Sequence, residues 1–170
     1  MQLSFEKLAK EHDRAGFECG VPELDCYLKN QAGQDMRRNL SSVFVLLKDD
    51  KDIVGYYTLS QNAVATQELP ENVAKKLPSQ RPISCTLLGR LAVDARHQGQ
   101  GLGRVLLFHA LKKAAAISGE IAAFAVVVDA KDLQAKKFYE KYNFLEMQHA
   151  PLRLFIPING ILKMLELWER

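Results

Sequence analysis

The stretch from Cys85 to Val128 restricts the fold more than any other part of the chain. It opens with the apolar run Cys85 to Val93, rich in residues that suit a buried strand, and then passes through a polar turn containing Gly99, Gly101 and Gly103. A period of three and four follows through Leu102, Val105, Leu106, His109 and Ala110, the mark of an amphipathic helix that ends near Ser118-Gly119. Ile121 to Val128 is a second continuous apolar run of strand length. Strand, helix and strand at this spacing form a right-handed unit whose two strands run parallel, with the helix packed by one face on the sheet.

The rest of the chain adds antiparallel partners. Leu3 and Phe5 alternate like a short strand, and Val21-Pro22-Glu23-Leu24 suits a first helical turn, with Leu24, Tyr27 and Leu28 on one face. Val43 to Leu47 and Ile53 to Ala65 are β-rich runs joined by Lys48-Asp49-Asp50-Lys51-Asp52, which predicts an antiparallel hairpin. Pro70 and Pro78 bracket a short helix over Glu71 to Leu77, and Pro82 closes a loop before the central strand. Asp132 to Tyr142 reads as a short helix, Phe144 to Met147 and Leu152 to Ile156 as strands, and Ile161 to Trp168 as a terminal helix. The expected fold is α/β, a mixed and mainly antiparallel central sheet flanked by helices and holding one parallel strand-helix-strand unit.

A chain of 170 residues has the size of one domain able to bury a full core, so residues 1–170 are read as a single domain. No apolar stretch is long enough to span a bilayer, and the opening residues lack a basic flank followed by an apolar core, which makes a cytoplasmic protein the expectation. Cys19, Cys26 and Cys85 are odd in number and without Cys-x-x-Cys spacing, so neither a disulfide framework nor a zinc site is expected. The net charge of +3 fits an anionic ligand without arguing by itself for a nucleic-acid binder. Basic residues gather in groups: Arg81, Arg90, Arg96 and Arg104 in the middle, Lys29, Arg37 and Arg38 in or near the first helix, and Lys131, Lys136, Lys137 and Lys141 near the fourth.

The turn from Arg96 through His97, Gln98, Gly99, Gln100, Gly101, Leu102 and Gly103 to Arg104 lies where a buried strand ends and a long helix begins. Unpaired N–H groups converge at such a place, the helix dipole adds partial positive charge, and glycines let a phosphate approach main chain that a Cβ would block. Arg96 and Arg104 add charge-assisted hydrogen bonds to this reading. A P-loop is excluded because Gly103 is followed by Arg104-Val105 rather than Lys-Ser/Thr. A dinucleotide fingerprint is disfavoured, since its third glycine would fall at Arg104 and most strands are expected to be antiparallel.

The remaining pattern, Gln/Arg-x-x-Gly-x-Gly, is matched by Gln98-Gly99-Gln100-Gly101-Leu102-Gly103. It resembles the pyrophosphate loop of the GNAT family of N-acetyltransferases. Leu88-Gly89-Arg90-Leu91-Ala92-Val93 before it and Phe138-Tyr139-Glu140-Lys141-Tyr142-Asn143-Phe144 after it stand in that family's order and approximate spacing. The resemblance implies that acetyl-CoA is the co-substrate, with no metal. It also implies that main-chain groups of the strand ending in Leu91, Ala92 and Val93 meet the pantetheine arm, and that Tyr139 protonates the departing thiolate. Acetyl transfer from a thioester to an amine requires such an acid, an uncharged nitrogen and stabilisation of an oxyanion. The bland alternative for Tyr139 is packing with Phe138 and Tyr142. Asp132 stands where many relatives carry an Asn that contacts CoA, and Asn143 where the family usually has Gly.

No Asp or Glu stands within Leu87 to Val93, where many members carry a general base. A lysine, with a pKa of about 10.4, needs help to lose its proton, whereas an α-amine of about 7.7–8.0 is already partly neutral. The opening Phe17-Glu18-Cys19-Gly20-Val21-Pro22-Glu23-Leu24-Asp25-Cys26-Tyr27-Leu28 and the late Leu152-Arg153-Leu154-Phe155 are similar to one branch, the acetyltransferase toxins of bacterial toxin–antitoxin pairs. That resemblance implies acetylation of aminoacyl-tRNA, a block on translation, a ribbon-helix-helix antitoxin and a homodimer. Lys29, Arg37, Arg38, Arg81 and Arg90 are then the candidate tRNA contacts. His97 and His109 are read as loop and helix residues. The alternatives are a housekeeping N-acetyltransferase of a small amine or protein N-terminus, and a CoA-binding regulator without turnover.

Overall fold

Among residues 2–168, which the computed structural model describes, the chain forms the strands β1 (Leu3–Lys7), β2 (Ser42–Lys48), β3 (Asp52–Val64), β4 (Ile83–Val93), β5 (Ala125–Asp129), β6 (Leu145–Met147) and β7 (Ala150–Pro157). The helices are α1 (Pro22–Asn30), α2 (Ala32–Arg37), α3 (Glu71–Ala74), α4 (Leu102–Ser118), α5 (Leu133–Lys141) and α6 (Ile158–Trp168). The strands order as β1-β2-β3-β4-β5-β7-β6 in one sheet. Neighbours β1 and β2, β2 and β3, β5 and β7, and β6 and β7 are antiparallel, whereas β4 and β5 pair in parallel through Thr86, Leu87 and Leu88 opposite Val126, Val127 and Val128. The mixed, mainly antiparallel sheet with one parallel strand-helix-strand unit is therefore as the sequence predicts.

The chain divides into two compact units, the first holding residues up to 60 and 89–110, the second residues 61–88 and those from 111 onward. In the first, Val43 to Leu47 of β2 are all buried, and Val43, Val45 and Leu47 on one face of the strand pack with Phe17, Leu28, Ala32, Ile53 and Tyr56. Tyr56 meets Phe17 edge-on at 5.5 Å and donates its hydroxyl to the Leu24 carbonyl at 2.7 Å, so its burial leaves no polar atom unserved. Gly55 is required by close approach: a Cβ there would lie 2.7 Å from Leu106 Cδ1 and 3.1 Å from the Ala92 carbonyl oxygen. His109 shares a 2.7 Å hydrogen bond with the Tyr57 hydroxyl and stacks on Phe5 at 3.6 Å, which makes it a packing residue of the helix.

In the second unit, Val64, Leu69, Ile83, Cys85, Ala125, Val127, Met147 and Phe155 form the core. Burial pushes the Cys85 thiol up to about 11, so it is an inert core group at neutral pH. Arg153 of β7 lies 3.4 Å from Asp129 of β5 and 3.7 Å from Glu68, tying these two strands to the segment after β3.

Several boundaries differ from expectation for local reasons. The apolar run from Ile121 does not begin a strand until Ala125, because residues 121–124 carry the chain from the end of α4 back to the sheet; Ile121 is 66% exposed. The first helix breaks at Gln31, whose φ of −125° leaves helical space, so Lys29 belongs to α1 whereas Arg37 lies in α2 and Arg38 caps it. A single-turn helix over Thr66–Glu68 follows β3, and Glu68 accepts a 2.6 Å bond from the Ala65 N–H. The helix over Glu71 to Leu77 shortens to α3, and α6 starts earlier than Ile161.

Candidate functional site

The first unit holds the glycine turn. After β4, Asp94 caps a single helical turn (Ala95–His97), and Gln98 to Gly101 lead into α4, anchored by the buried Leu102. Gly99 and Gly101 both have φ of +78°, a left-handed conformation that L side chains adopt at a cost, and a Cβ on either would meet nothing within 4 Å. The surface above the turn is therefore open main chain. Val105 N–H bonds the Gly101 carbonyl at 3.3 Å, and the N–H groups of Leu102 and Gly103 precede this first rung of the helix. The arrangement suits an anion such as a diphosphate.

Polar side chains around the turn are engaged in holding it. Asp94 is 1% exposed and accepts from the N–H of Glu18 at 3.1 Å, from the N–H of Arg96 at 2.9 Å, and from Arg96 Nε and Nη2 at 2.9 and 3.2 Å. Burial alone would raise its pKa, but these bonds outweigh it and hold the carboxyl below the usual range. Gln98 Nε2 donates to the carbonyls of Cys19 and Val93, each at 2.9 Å. Thus Arg96, which the sequence aims at a phosphate, has its guanidinium oriented by Asp94, and Gln98 has its amide turned toward the fold. Gln100 is exposed, and Arg104 is exposed with its guanidinium 5.2 Å from the Phe108 ring. On β4, Ala92 is buried while Leu91 and Val93 are half-buried.

The second unit holds Tyr139, on α5. Asp132 caps that helix by accepting from the Ala135 N–H at 2.8 Å, so its carboxylate has a structural task of its own. The Tyr139 ring lies 5.3 Å from Phe138 and 5.3 Å from Phe144, and its carbonyl accepts the N–H groups of Tyr142 and Phe144. Asn143 takes φ of +70° at the helix end, the left-handed conformation for which Asn is suited. Loss of solvation on burial pushes the Tyr139 phenol up to about 12, although the side chain keeps part of its surface exposed. Among the described residues no group hydrogen-bonds its hydroxyl, which leaves a protonated donor ready for a ligand.

The candidate tRNA contacts divide between the units. In the first, Lys29, Arg37 and Arg38 are exposed, and Arg90 is half-buried with its guanidinium 3.5 Å from the centre of the Tyr27 ring. Arg14 joins this group: its Nη1 and that of Arg37 would lie 3.2 and 3.4 Å from a Cβ at Gly33, and burial together with the Arg37 charge lowers its pKa. Nothing in the local sequence marks Arg14, since its neighbours come from a helix many residues later. In the second unit Arg81 is exposed and lines a groove of about 400 Å³ with Ala63 to Gln67 and Ser79 to Pro82. A groove of about 600 Å³ beside it, lined by Glu71, Asn72 and Lys75 among others, was not foreseen, because it exists only where α3 folds beside the loop at Ser79. Among the described residues no cluster of His, Cys, Asp or Glu could hold a metal ion, and no helix is long and apolar enough to cross a membrane.

The model of the acetyltransferase (GNAT) family matches residues 6–144. The tRNA-acetylating toxin of Mycobacterium tuberculosis (strain ATCC 25618 / H37Rv) is 33% identical over 150 residues, covering 88% of this chain and 89% of that protein. Among solved structures, AtaT complexed with acetyl-methionyl-tRNAfMet superposes with a TM-score of 0.89 at 27% identity, covering 96% of this chain and 99% of that one. AtaTR bound with AcCoA superposes with a TM-score of 0.81 at 26% identity, covering 96% and 98%. The glycine turn at the end of a central β4, followed by α4 and a parallel β5, lies wholly within the matched span: the chain belongs to the acetyltransferase (GNAT) family, whose members transfer an acetyl group from acetyl-CoA to an amine.

Proposed function

We propose that this protein acetylates the α-amine of the amino acid on charged tRNA and thereby stops translation. The observation that carries the chemistry is the Tyr139 hydroxyl, protonated at neutral pH and without a hydrogen-bond partner among the described residues. Acetyl-CoA supplies an activated thioester; the chain's task is to hold it, to leave the amine uncharged and to deliver a proton to sulfur. Main-chain N–H groups of the glycine turn hold the diphosphate, with Arg104 adding charge, while backbone of Leu91, Ala92 and Val93 offers hydrogen bonds along the pantetheine arm. As the amine bonds to the acetyl carbon and the carbon–sulfur bond breaks, Tyr139 gives its proton to the sulfur and regains one from the nitrogen. A phenolate of so high a pKa is promptly reprotonated.

The choice of amine follows from what β4 lacks. Between Thr86 and Asp94 it bears no carboxylate, and Asp94 is engaged by Arg96 and Glu18, so no base stands there to deprotonate a lysine. An α-amine, lowered further by the ester of an aminoacyl group, needs none. The likeness to two proteins named for tRNA or its acetylated form supports this acceptor. Lys29, Arg37, Arg38 and Arg90, with Arg14, are read as contacts to its phosphates, as is Arg81. The family match takes in parts of both units, which supports reading residues 1–170 as one catalytic domain. The likeness to the acetyltransferase toxins supports control by a ribbon-helix-helix antitoxin, action as a homodimer and a cytoplasmic site of action.

The test is incubation of the purified protein with labelled acetyl-CoA and total aminoacyl-tRNA, beside the same tRNA stripped of its amino acids. Label is expected on charged tRNA alone. Label on neither, with CoA binding intact, would replace this acceptor with a small amine or a protein N-terminus.

A further inference from the structure

The segment before α1 is strapped to the glycine turn. The Ala95 N–H donates to the Glu18 carbonyl at 2.7 Å, the Glu18 N–H donates to Asp94 at 3.1 Å, and Gln98 Nε2 bridges the Cys19 carbonyl to that of Val93 at the end of β4. Arg96, held by Asp94, reaches the Gly16 carbonyl at 3.5 Å. Phe17 is buried at 1% exposure, so this strap is seated and does not lie loose on the surface. Its far end runs into α1: the Cys19 N–H donates to Asp25 of that helix at 2.8 Å.

α1 is fixed to the same strand at a second point, where Arg90 of β4 covers the Tyr27 ring. The Tyr27 hydroxyl donates to Asp35 at 2.9 Å, which extends the connection to α2. The elements that bear Lys29, Arg37 and Arg38 are therefore joined to the turn through the Ala95 N–H and through hydrogen bonds of turn side chains, of which those of Asp94 and Gln98 are shorter than that of Arg96, itself set in place by Asp94. Neither Asp94 nor Gln98 spends these bonds on a ligand.

We infer that Asp94 and Gln98 are positioning residues that couple occupancy of the glycine turn to the order of residues 16–30, so that acetyl-CoA and an anionic acceptor bind this face cooperatively. This rests on the reading that the turn binds the coenzyme. The coupling is reciprocal: whatever the coenzyme contributes to acceptor affinity, the acceptor contributes to coenzyme affinity. Ordering of a shared element on the first binding event, with less ordering left for the second, is a sufficient physical cause.

Amide hydrogen exchange on the full chain with and without CoA tests it. At CoA about 100-fold above its dissociation constant, exchange through openings that release the ligand slows by about 100-fold, and this slowing is expected in the turn and also across residues 16–30. Slowing confined to the turn overturns the coupling while leaving coenzyme binding intact. Slowing at neither place overturns the coenzyme-binding reading and the coupling with it. Gln98→Leu, shown to be folded by its thermal melt, should confine protection to the turn, and Gln98→Arg, which restores donors, should return it to residues 16–30. Unchanged distant protection in Gln98→Leu removes Gln98 from the proposal.

Discussion

The glycine turn of the first unit and the Tyr139 end of α5 in the second distribute their polar groups in opposite ways. At the turn, Asp94 is consumed by Arg96 and Glu18, and Gln98 by Cys19 and Val93, so what faces outward is main chain with the exposed Gln100 and Arg104 beside it. At Tyr139 the main-chain carbonyl is taken by the Tyr142 and Phe144 N–H groups, and what remains is one side-chain hydroxyl. Recognition of a diphosphate spread over many N–H groups tolerates the loss of single side chains. A proton transfer placed on one oxygen does not.

The largest effect is expected where the chemistry rests on one atom. Tyr139→Phe keeps the ring among Phe138 and Phe144 and deletes the hydroxyl, so turnover should fall by about 100-fold or more while the CoA dissociation constant from calorimetry stays within about twofold. Near-normal turnover would reduce Tyr139 to a packing residue and erase the contrast.

Next comes the support beneath the turn. Asp94→Ala leaves the Glu18 and Arg96 N–H groups without their acceptor and should cost about 1–3 kcal/mol in urea unfolding. Because the folded Asp94 carboxyl lies below its ordinary value of 3.8, its contribution is present above that pH and is lost as pH falls through the folded value. Asp94→Asn should flatten that part of the acid limb, and an unchanged limb would show that the charge contributes nothing.

A smaller and sharper comparison lies within the turn. Gly101→Ala forces a side chain to φ of +78° at a cost of about 1 kcal/mol and should raise KM for acetyl-CoA. Gln100→Ala, one residue away and exposed, should change stability by less than about 0.5 kcal/mol and leave KM nearly unaltered. Equal effects of the two would mean that side chains bind the coenzyme after all.

The smallest effect should appear at high pH. The folded Tyr139 phenol is raised to about 12 from an ordinary 10.0, so its stabilising contribution is complete below pH 10 and is lost as pH rises toward 12. Tyr139→Phe should remove that component, read as the difference between two stability profiles. The basic limb of turnover should lie nearer 12 than 10, unlike that of an exposed tyrosine.

Much of this molecule is legible in its sequence because much of it is set by contacts between near neighbours. The strand-turn-helix from β4 to α4 follows from hydrophobic period and glycine placement, both local, and so does the β2–β3 hairpin. The glycine turn was visible for the same reason, whereas Tyr139 was singled out only by resemblance to the GNAT family. Boundaries failed where one composition serves two environments: residues 121–124 are as apolar as β5 yet form the connection to it. Only tertiary structure decided that Gln98 faces Cys19, that Asp94 holds Arg96 and Glu18, that Arg90 covers Tyr27, and that Arg14 stands beside Arg37. Each joins residues distant in sequence or turns a side chain away from its expected ligand. Local propensity carries no information about that, because a buried polar group settles on whichever partner the closed fold brings within reach.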